Sequence, residues 1–284
     1  MNNFKDKVAV ITGAGSGLGR ELALSCAQRG MKLILADVDE QGLAETVSLA
    51  KANLATVEAT TLRVDVSKLE QVEALAARAK EAFGGAHLVF NNAGVSVSGP
   101  IWENTPDDWQ WVLGVNLYGI VWGIKTFVPL MLEQGEGYIV NTASAAGWVN
   151  MGGTAIYNAS KSSAVAISET LVQDLKDAKA NIGVSVLCPG FFPTGIADSE
   201  RNRPAEFAAT TPDSEARRLR DERVRKAIES SKISAREVAE QTLQAVANNQ
   251  FYIFPHKHIK PLVAARAQAA QEEHTAFDPM ASGR

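Results

Sequence analysis

Short apolar runs alternate with segments whose apolar residues recur every three or four positions, through the first two-thirds of the chain. Val8-Ala9-Val10-Ile11 reads as a buried strand, and Leu18, Leu22 and Cys26 follow it at helical spacing. Leu33-Ile34-Leu35-Ala36, Thr61-Leu62-Arg63-Val64 and Leu88-Val89-Phe90 continue the strand series. Asp39 suits the N-cap of the helix between the first two of these, and Ser67-Lys68-Leu69-Glu70 reads as a capping box for the helix before the last. Thr105-Pro106-Asp107-Asp108 opens a helix running to about Leu132: a cap hydroxyl, a proline at the first position and acids in the first turn. Tyr138-Ile139-Val140-Asn141 and Val184-Ser185-Val186-Leu187 are further strands, separated by a long helix from about Ala155 to Lys179. Strands of consecutive aliphatic and β-branched residues, each followed by a helix, predict a doubly wound parallel α/β sheet of Rossmann type, covered on both faces. No repeat and no Pro-, Gly- or Ser-rich linker divides the chain, so a single domain is expected.

The pattern changes after Pro189-Gly190. Asp198 to Lys232 is polar and strongly charged and predicts a solvated helix with ion pairs along it, while residues 191–232 together are long enough to form a lid. Ser234-Ala235-Arg236-Glu237 is another capping box, for a helix to about Ala247, and Phe251–Phe254 a last strand. The tail from about residue 256 predicts one helix near 259–271, with His256 and His258 exposed to solvent.

Composition narrows the function. The 284 residues carry a net charge of −4 and a pI near 5.7, which does not suit a nucleic-acid or anionic-membrane partner. The two cysteines, Cys26 and Cys188, sit in apolar surroundings and make neither a disulfide framework nor a thiolate metal site. With no signal-like N-terminus and no run of some twenty apolar residues, a cytoplasmic location is expected. No histidine and carboxylate cluster has metal spacing, and no Gly-x-Ser-x-Gly elbow follows a strand.

Between the first strand and helix lies Thr12-Gly13-Ala14-Gly15-Ser16-Gly17-Leu18-Gly19. Glycines let backbone approach a pyrophosphate, and the free N–H groups of a helix start attract it. Asp37 ends the second strand, where a carboxylate accepts bonds from adenosine ribose hydroxyls and repels a 2′-phosphate. Position 16 is Ser, with no basic side chain for that phosphate, so NAD(H) is favoured over NADP(H). Further on, Tyr157 and Lys161 lie four apart and share one helix face. A phenol titrates near pH ~10, and a neighbouring ammonium together with an oxidised nicotinamide favours phenolate. Such a tyrosine can take a hydroxyl proton as the carbinol carbon loses hydride.

The glycines fit T-G-x-x-x-G-x-G, and Asn91-Asn92-Ala93-Gly94, Asn116, Ser144, Tyr157-Asn158-Ala159-Ser160-Lys161 and Pro189-Gly190 with Thr194 follow in order. Over residues 5–254 the chain therefore resembles the short-chain dehydrogenase/reductase family. The resemblance implies an NAD-dependent oxidoreductase interconverting a secondary alcohol and a ketone. It implies catalytic roles for Asn116 (proton relay), Ser144 (substrate oxygen), Tyr157 (acid and base) and Lys161. It places Gly13, Ser16, Gly17, Leu18, Gly19 and Asp37 at the dinucleotide, Asp65 and Val66 at adenine, Asn92 and Lys161 near the nicotinamide ribose, and Pro189, Gly190 and Thr194 at the carboxamide.

Substrate contacts are expected from Ser144, Trp148, Tyr157, Phe191 and Phe192, with Val95, Trp102, Val149 and Met151 nearby. That list predicts a bulky hydrophobic or aryl substrate, whereas Arg203, Arg217 or Arg220 reaching a polar tail would keep acyl thioesters and polyols open. A nucleotide-binding regulator without turnover would ordinarily have lost Tyr or Lys, and an extended-type epimerase would begin G-x-x-G-x-x-G. Family habit also implies a homo-oligomer, tetramer or dimer, through the long helix and last strand, with small residues at Ala159, Ser162, Ser163 and Ala166.

Overall fold

The computed structural model describes residues 1, 3–207 and 214–279. Seven strands among them form one parallel sheet: β1 Val8–Thr12, β2 Lys32–Asp37, β3 Ala59–Arg63, β4 Leu88–Asn91, β5 Gly137–Thr142, β6 Ile182–Leu187 and β7 Tyr252–Ile253. Their order is β3-β2-β1-β4-β5-β6-β7, as expected for the doubly wound fold. β1, β4 and nearly all of β5 are buried on both faces, which is why they read as unbroken apolar runs and not as alternating ones.

One face is covered by α1 (Gly17–Gln28), α2 (Glu40–Asn53) and α8 (Ala235–Ala247), around Leu22, Leu33, Leu35, Phe90 and Leu243. The other carries α3 (Leu69–Phe83), α5 (Gly119–Gln134) and α6 (Ala155–Asp177), around Ile34, Leu75, Phe127, Met131 and Ile139. The chain reverses its winding between β1 and β4, and the crevice beyond their carboxyl ends is where this fold receives ligands.

Capping follows the side-chain pattern at three of four sites. Asp39 accepts from Gly42 N–H, and Thr105 with Asp108 and Ser234 with Glu237 close reciprocal boxes. Ser67-Lys68-Leu69-Glu70 does not. The Asp65 carboxylate takes the Ser67 N–H at 2.9 Å in a local turn, which moves the start of α3 one residue on, to Lys68 as uncapped N-cap.

The helix opened by Thr105 is not uniform. α4 (Pro106–Leu113) passes into a π-helical turn, Gly114–Tyr118, before α5 continues with Pro129 inside it. The inserted π turn rotates Asn116 to the interior, where it is fully buried. Contrary to the expectation that nothing here could span a bilayer, Pro106–Gln134 is long and apolar enough by length and composition alone. Part of its apolar surface, Trp111, Val112, Phe127 and Met131, is packed inside the protein.

The charged segment also departs from a simple solvated helix. α7 (Glu215–Glu229) turns Arg217, Arg220, Val224 and Ile228 towards the crevice, and Arg203 before it is buried over the Trp111 ring at 4.3 Å. Within the tail, α9 (Ile259–Gln271) forms where expected.

Candidate active site

A cavity of about 1310 Å³ opens at the carboxyl ends of the strands, walled on one side by the glycine turn and on another by the start of α6 and the segment after β6. Gly13 and Gly17 adopt φ of +68° and +51°, a left-handed backbone that disfavours side chains. A Cβ on Gly19 would stand 2.0 Å from the Gly13 carbonyl oxygen, so the turn closes tightly only without one. Ser16 is the N-cap of α1 and gives it no side-chain cap, so the first-turn N–H groups stay available to an anion, with Leu18 and Gly19 on the cavity wall.

Asp37 holds the turn from β2: its Oδ2 accepts from Gly15 N–H at 2.8 Å and its Oδ1 from Asp39 N–H at 3.1 Å. The carboxylate lines the cavity with its remaining lone pairs free for hydroxyls. Asp65 and Val66 form the neighbouring wall. Asn92 is pinned across the winding reversal. Its N–H donates to Thr12 Oγ1 at 2.9 Å and its Nδ2 to the Thr12 carbonyl at 2.9 Å. Thr12, the first residue of the glycine motif, thus ties β1 to β4; the leading threonine of that motif was the available signal for it. Opposite, a Cβ on Gly17 would meet Thr194 at 3.4 Å, so the segment from Pro189 to Thr194 lies across the cleft from the turn.

The first turns of α6 bring Tyr157 and Lys161 to the same cavity. Lys161 is 3% exposed and donates from Nζ to the Thr142 carbonyl at 2.8 Å; the ammonium also stands 5.6 Å from the Tyr157 ring centre. Burial lowers the Lys161 pKa to about 8. Tyr157 behaves differently from the expectation of an acidified phenol. Burial raises its pKa, and the hydrogen bond with Ser144 only partly opposes that. The chain's own groups therefore keep the phenol protonated, because desolvating an anion costs more than one neighbouring hydroxyl returns.

Ser144 starts a short 3₁₀ turn, Ala145–Gly147, accepting from Ala146 N–H at 3.1 Å. Asn116 donates from Nδ2 to the Val95 carbonyl at 2.9 Å and to Ser160 Oγ at 3.1 Å, and its Oδ1 accepts from Val95 N–H at 2.8 Å. A Cβ on Gly94 would lie 3.5 Å from both Asn116 Oδ1 and Lys161 Nζ, so the glycine leaves the space between them clear.

One expected substrate contact, Trp148, and one residue expected nearby, Trp102, fall elsewhere. Trp148 donates from Nε1 to Cys188 Sγ at 3.3 Å and packs edge-on against Tyr252 at 5.7 Å, away from the cavity wall. Tyr252 and Phe254 around β7 partly cover the indole, and Cys188, just after β6, supplies an acceptor for its N–H. Trp102 is 82% exposed. Phe191, Phe192, Val95, Val149 and Met151 do line the cavity.

His256 corrects the sequence reading most directly. It is 4% exposed; its Nδ1 accepts from Gly190 N–H at 3.0 Å and its Nε2 meets the Phe191 carbonyl at 2.9 Å. Burial pushes its pKa down, so the ring is neutral and Nε2 is its donor. A histidine just after a proline in a tail has no periodicity to mark it. His258 lines the cavity beside it.

Known proteins share this arrangement. The short chain dehydrogenase family model matches residues 7–205. A "CLA biosynthesis dehydrogenase/reductase" of Lactiplantibacillus plantarum is 36% identical over 272 residues, 94% of each chain. A "C alpha-dehydrogenase" of Sphingobium is 33% identical over 273 residues, 95% of this chain and 87% of that one. The crystal structure of a short-chain dehydrogenase/reductase from Burkholderia phymatum in complex with NAD superposes with a TM-score of 0.95 at 46% identity, over 98% of this chain and 99% of the other. The glycine turn, the reversal tied by Thr12 and Asn92, and the Tyr157–Lys161 face of α6 all lie within the matched span: the chain belongs to the short-chain dehydrogenase family.

Proposed function

We propose that this protein is an NAD-dependent dehydrogenase/reductase interconverting a secondary alcohol and a ketone, with Tyr157 as the proton carrier. The observation that carries it is the convergence of Tyr157, Ser144 and buried Lys161 on the cavity that also holds the glycine turn. The residues present fit a dinucleotide. Gly13, Ser16, Gly17, Leu18 and Gly19 would hold the pyrophosphate, Asp37 the adenosine ribose, Asp65 and Val66 the adenine, Asn92 and Lys161 the second ribose, and Pro189, Gly190 and Thr194 the carboxamide. NAD over NADP is supported by the Asp37 carboxylate, by Ser at position 16, and by the NAD bound to the Burkholderia phymatum protein. When bound, the nicotinamide supplies the two-electron hydride acceptor or donor.

The side chains do the rest. The Ser144 hydroxyl bonds the substrate oxygen and stabilises charge developing there. Tyr157 Oη takes the hydroxyl proton in oxidation and returns it in reduction. Lys161, anchored on Thr142 O, keeps positive charge beside the phenol as it ionises. Asn116, across the gap that Gly94 leaves open, supports a proton path onward from Lys161. Tyr157→Phe should lower turnover about 10²–10⁴-fold while dinucleotide binding, followed by fluorescence, is retained. Unchanged turnover would refute the mechanism.

The apolar wall of Val95, Val149, Phe191 and Phe192 supports a bulky hydrophobic substrate. Residues 195–207 and 214–229 support a lid, since Ile196, Arg203, Arg217 and Val224 all wall the cavity; positions 208–213 of the expected lid lie outside the described residues. Exposed Ala159 and Ala166 on α6 support assembly into a dimer or tetramer, and two unpaired buried thiols suit the reducing cytoplasm.

A further inference from the structure

The inward face of α7 is chemically odd. Leu219, apolar, is turned out at 45% exposure, while Arg217 and Arg220 are turned in. The same face carries Val224 and Ile228, so the two guanidinium groups share an otherwise apolar inward stripe. Both arginines lie on a prepared floor. Gly99 and Gly153, at φ of +128° and +74°, are joined by a Gly99 N–H to Gly153 carbonyl bond of 3.0 Å. A Cβ on Gly99 would stand 3.1 Å from Arg217 Nη2, and one on Gly153 would stand 3.3 Å from Arg220 Cγ. A side chain at either position would be strained by its φ and would crowd the arginine above it.

The charge of the two arginines is only partly answered by the protein: the one polar contact of the Arg220 side chain among the described residues is from Nη2 to Met151 Sδ at 3.9 Å. Arg217 Nε and Nη2 and Arg220 Nε are buried with no hydrogen-bond partner among the described residues. Asp108 approaches Arg217 Nη2 only to 4.0 Å, because it already accepts from Arg203 at 2.7 Å and from Thr105 N–H at 3.0 Å. Glu200 is engaged by Arg203, and Asp221, exposed at the cavity wall, acts on Arg220 only as a nearby charge. Burial and the nearby Arg223 both disfavour the charged form of Arg220. Guanidinium nitrogens buried without acceptors are unfavourable, and two guanidinium groups side by side on the cavity wall match the oxygens of an oxyanion, whose charge would offset that cost.

We propose that Arg217 and Arg220 receive an anionic oxygen group, a carboxylate or a phosphate ester, at the far end of the substrate. Resting on the dehydrogenase reading above, this makes the substrate an amphiphile: a secondary alcohol or ketone at Tyr157, an apolar middle along Phe191, Phe192 and Val149, and an anionic end on α7. Gly153 under Arg220 is four residues before Tyr157, which puts the two ends on the order of 10 Å apart.

Titration calorimetry with NAD+ present, with which a ketone cannot react, using 9-oxodecanoate, its methyl ester and 8-oxononyl phosphate, tests this. The carboxylate should bind at least tenfold tighter than the ester, with the difference shrinking as salt rises. Arg217→Gln and Arg220→Gln should each reduce that ratio at least threefold, and Arg220→Lys should restore part of it. Phosphate tighter than carboxylate assigns the group as a phosphate ester, and the reverse order as a carboxylate; either supports the oxyanion site. A wild-type ratio near one, or a ratio untouched in both glutamine variants, overturns it. Should a variant not fold, the wild-type ratio and its salt dependence decide alone. The titrations read binding, so the redox reading fails separately, through Tyr157→Phe keeping its turnover.

Discussion

Replacing Lys161 by methionine separates what the site needs from what the fold would prefer. The ammonium is buried, and burial lowers its pKa from 10.5 to about 8. Unfolded, the side chain titrates near its ordinary value, so holding the charge in the folded protein at pH 7 costs about 3 kcal/mol. Methionine has nearly the same length and removes that cost. It also removes the bond to the Thr142 carbonyl at 2.8 Å, which returns about 1–2 kcal/mol. The variant should therefore be about 1–2 kcal/mol more stable than wild type at pH 7, a rise in Tm of about 2–6 °C for a chain of this size, while losing turnover. The pH dependence gives the sharper check. Between pH 8 and 10.5 the unfolded chain binds the proton that the folded chain has released, so wild-type stability from this group rises with pH. The advantage of Lys161→Met should be full below pH 8 and fall as pH rises, reversing to a deficit of about 1–2 kcal/mol above 10.5 where only the lost hydrogen bond remains, read as the difference between matched urea denaturation curves. A variant less stable than wild type at pH 7, or an advantage that grows with pH, would refute the argument that this lysine is held charged against the fold.

Two further expectations bear on the cavity. His256, with its pKa held below 6.5, accepts from Gly190 only when neutral, so wild-type stability should fall as pH drops below 6.5; His256→Gln, which can accept and donate in the same place, should flatten that loss relative to wild type in thermal melts. Asp37→Ser removes the charge that would repel a 2′-phosphate and should raise the NADP(H) to NAD(H) ratio of kcat/KM at least tenfold; an unchanged ratio would show that Asp37 does not set cofactor choice.

Much of this was legible one residue type at a time. β1, β4 and β5 announced themselves because a strand buried on both faces must be apolar throughout, and the glycines at 13, 17 and 19 because a backbone this close to itself admits no Cβ. Tyr157 and Lys161 were placed on one face by helical period alone. Local chemistry of that kind needs no knowledge of what lies across the fold.

Other features depended on partners distant in sequence, and there the chain by itself was silent or misleading. Asn116 needed a π turn and the Val95 backbone; Trp148 needed the β7 edge and Cys188 to draw it from the cleft; His256 needed the Gly190 and Phe191 backbone 65 or more residues earlier. The arginines of α7 had the composition of a solvated surface, and only the packing of Gly99 and Gly153 beneath them shows that two of their charges face inward. Periodicity records which side of an element is apolar. Where a polar side chain is buried, its position is decided by a hydrogen-bond or charge partner that only the folded chain brings within reach.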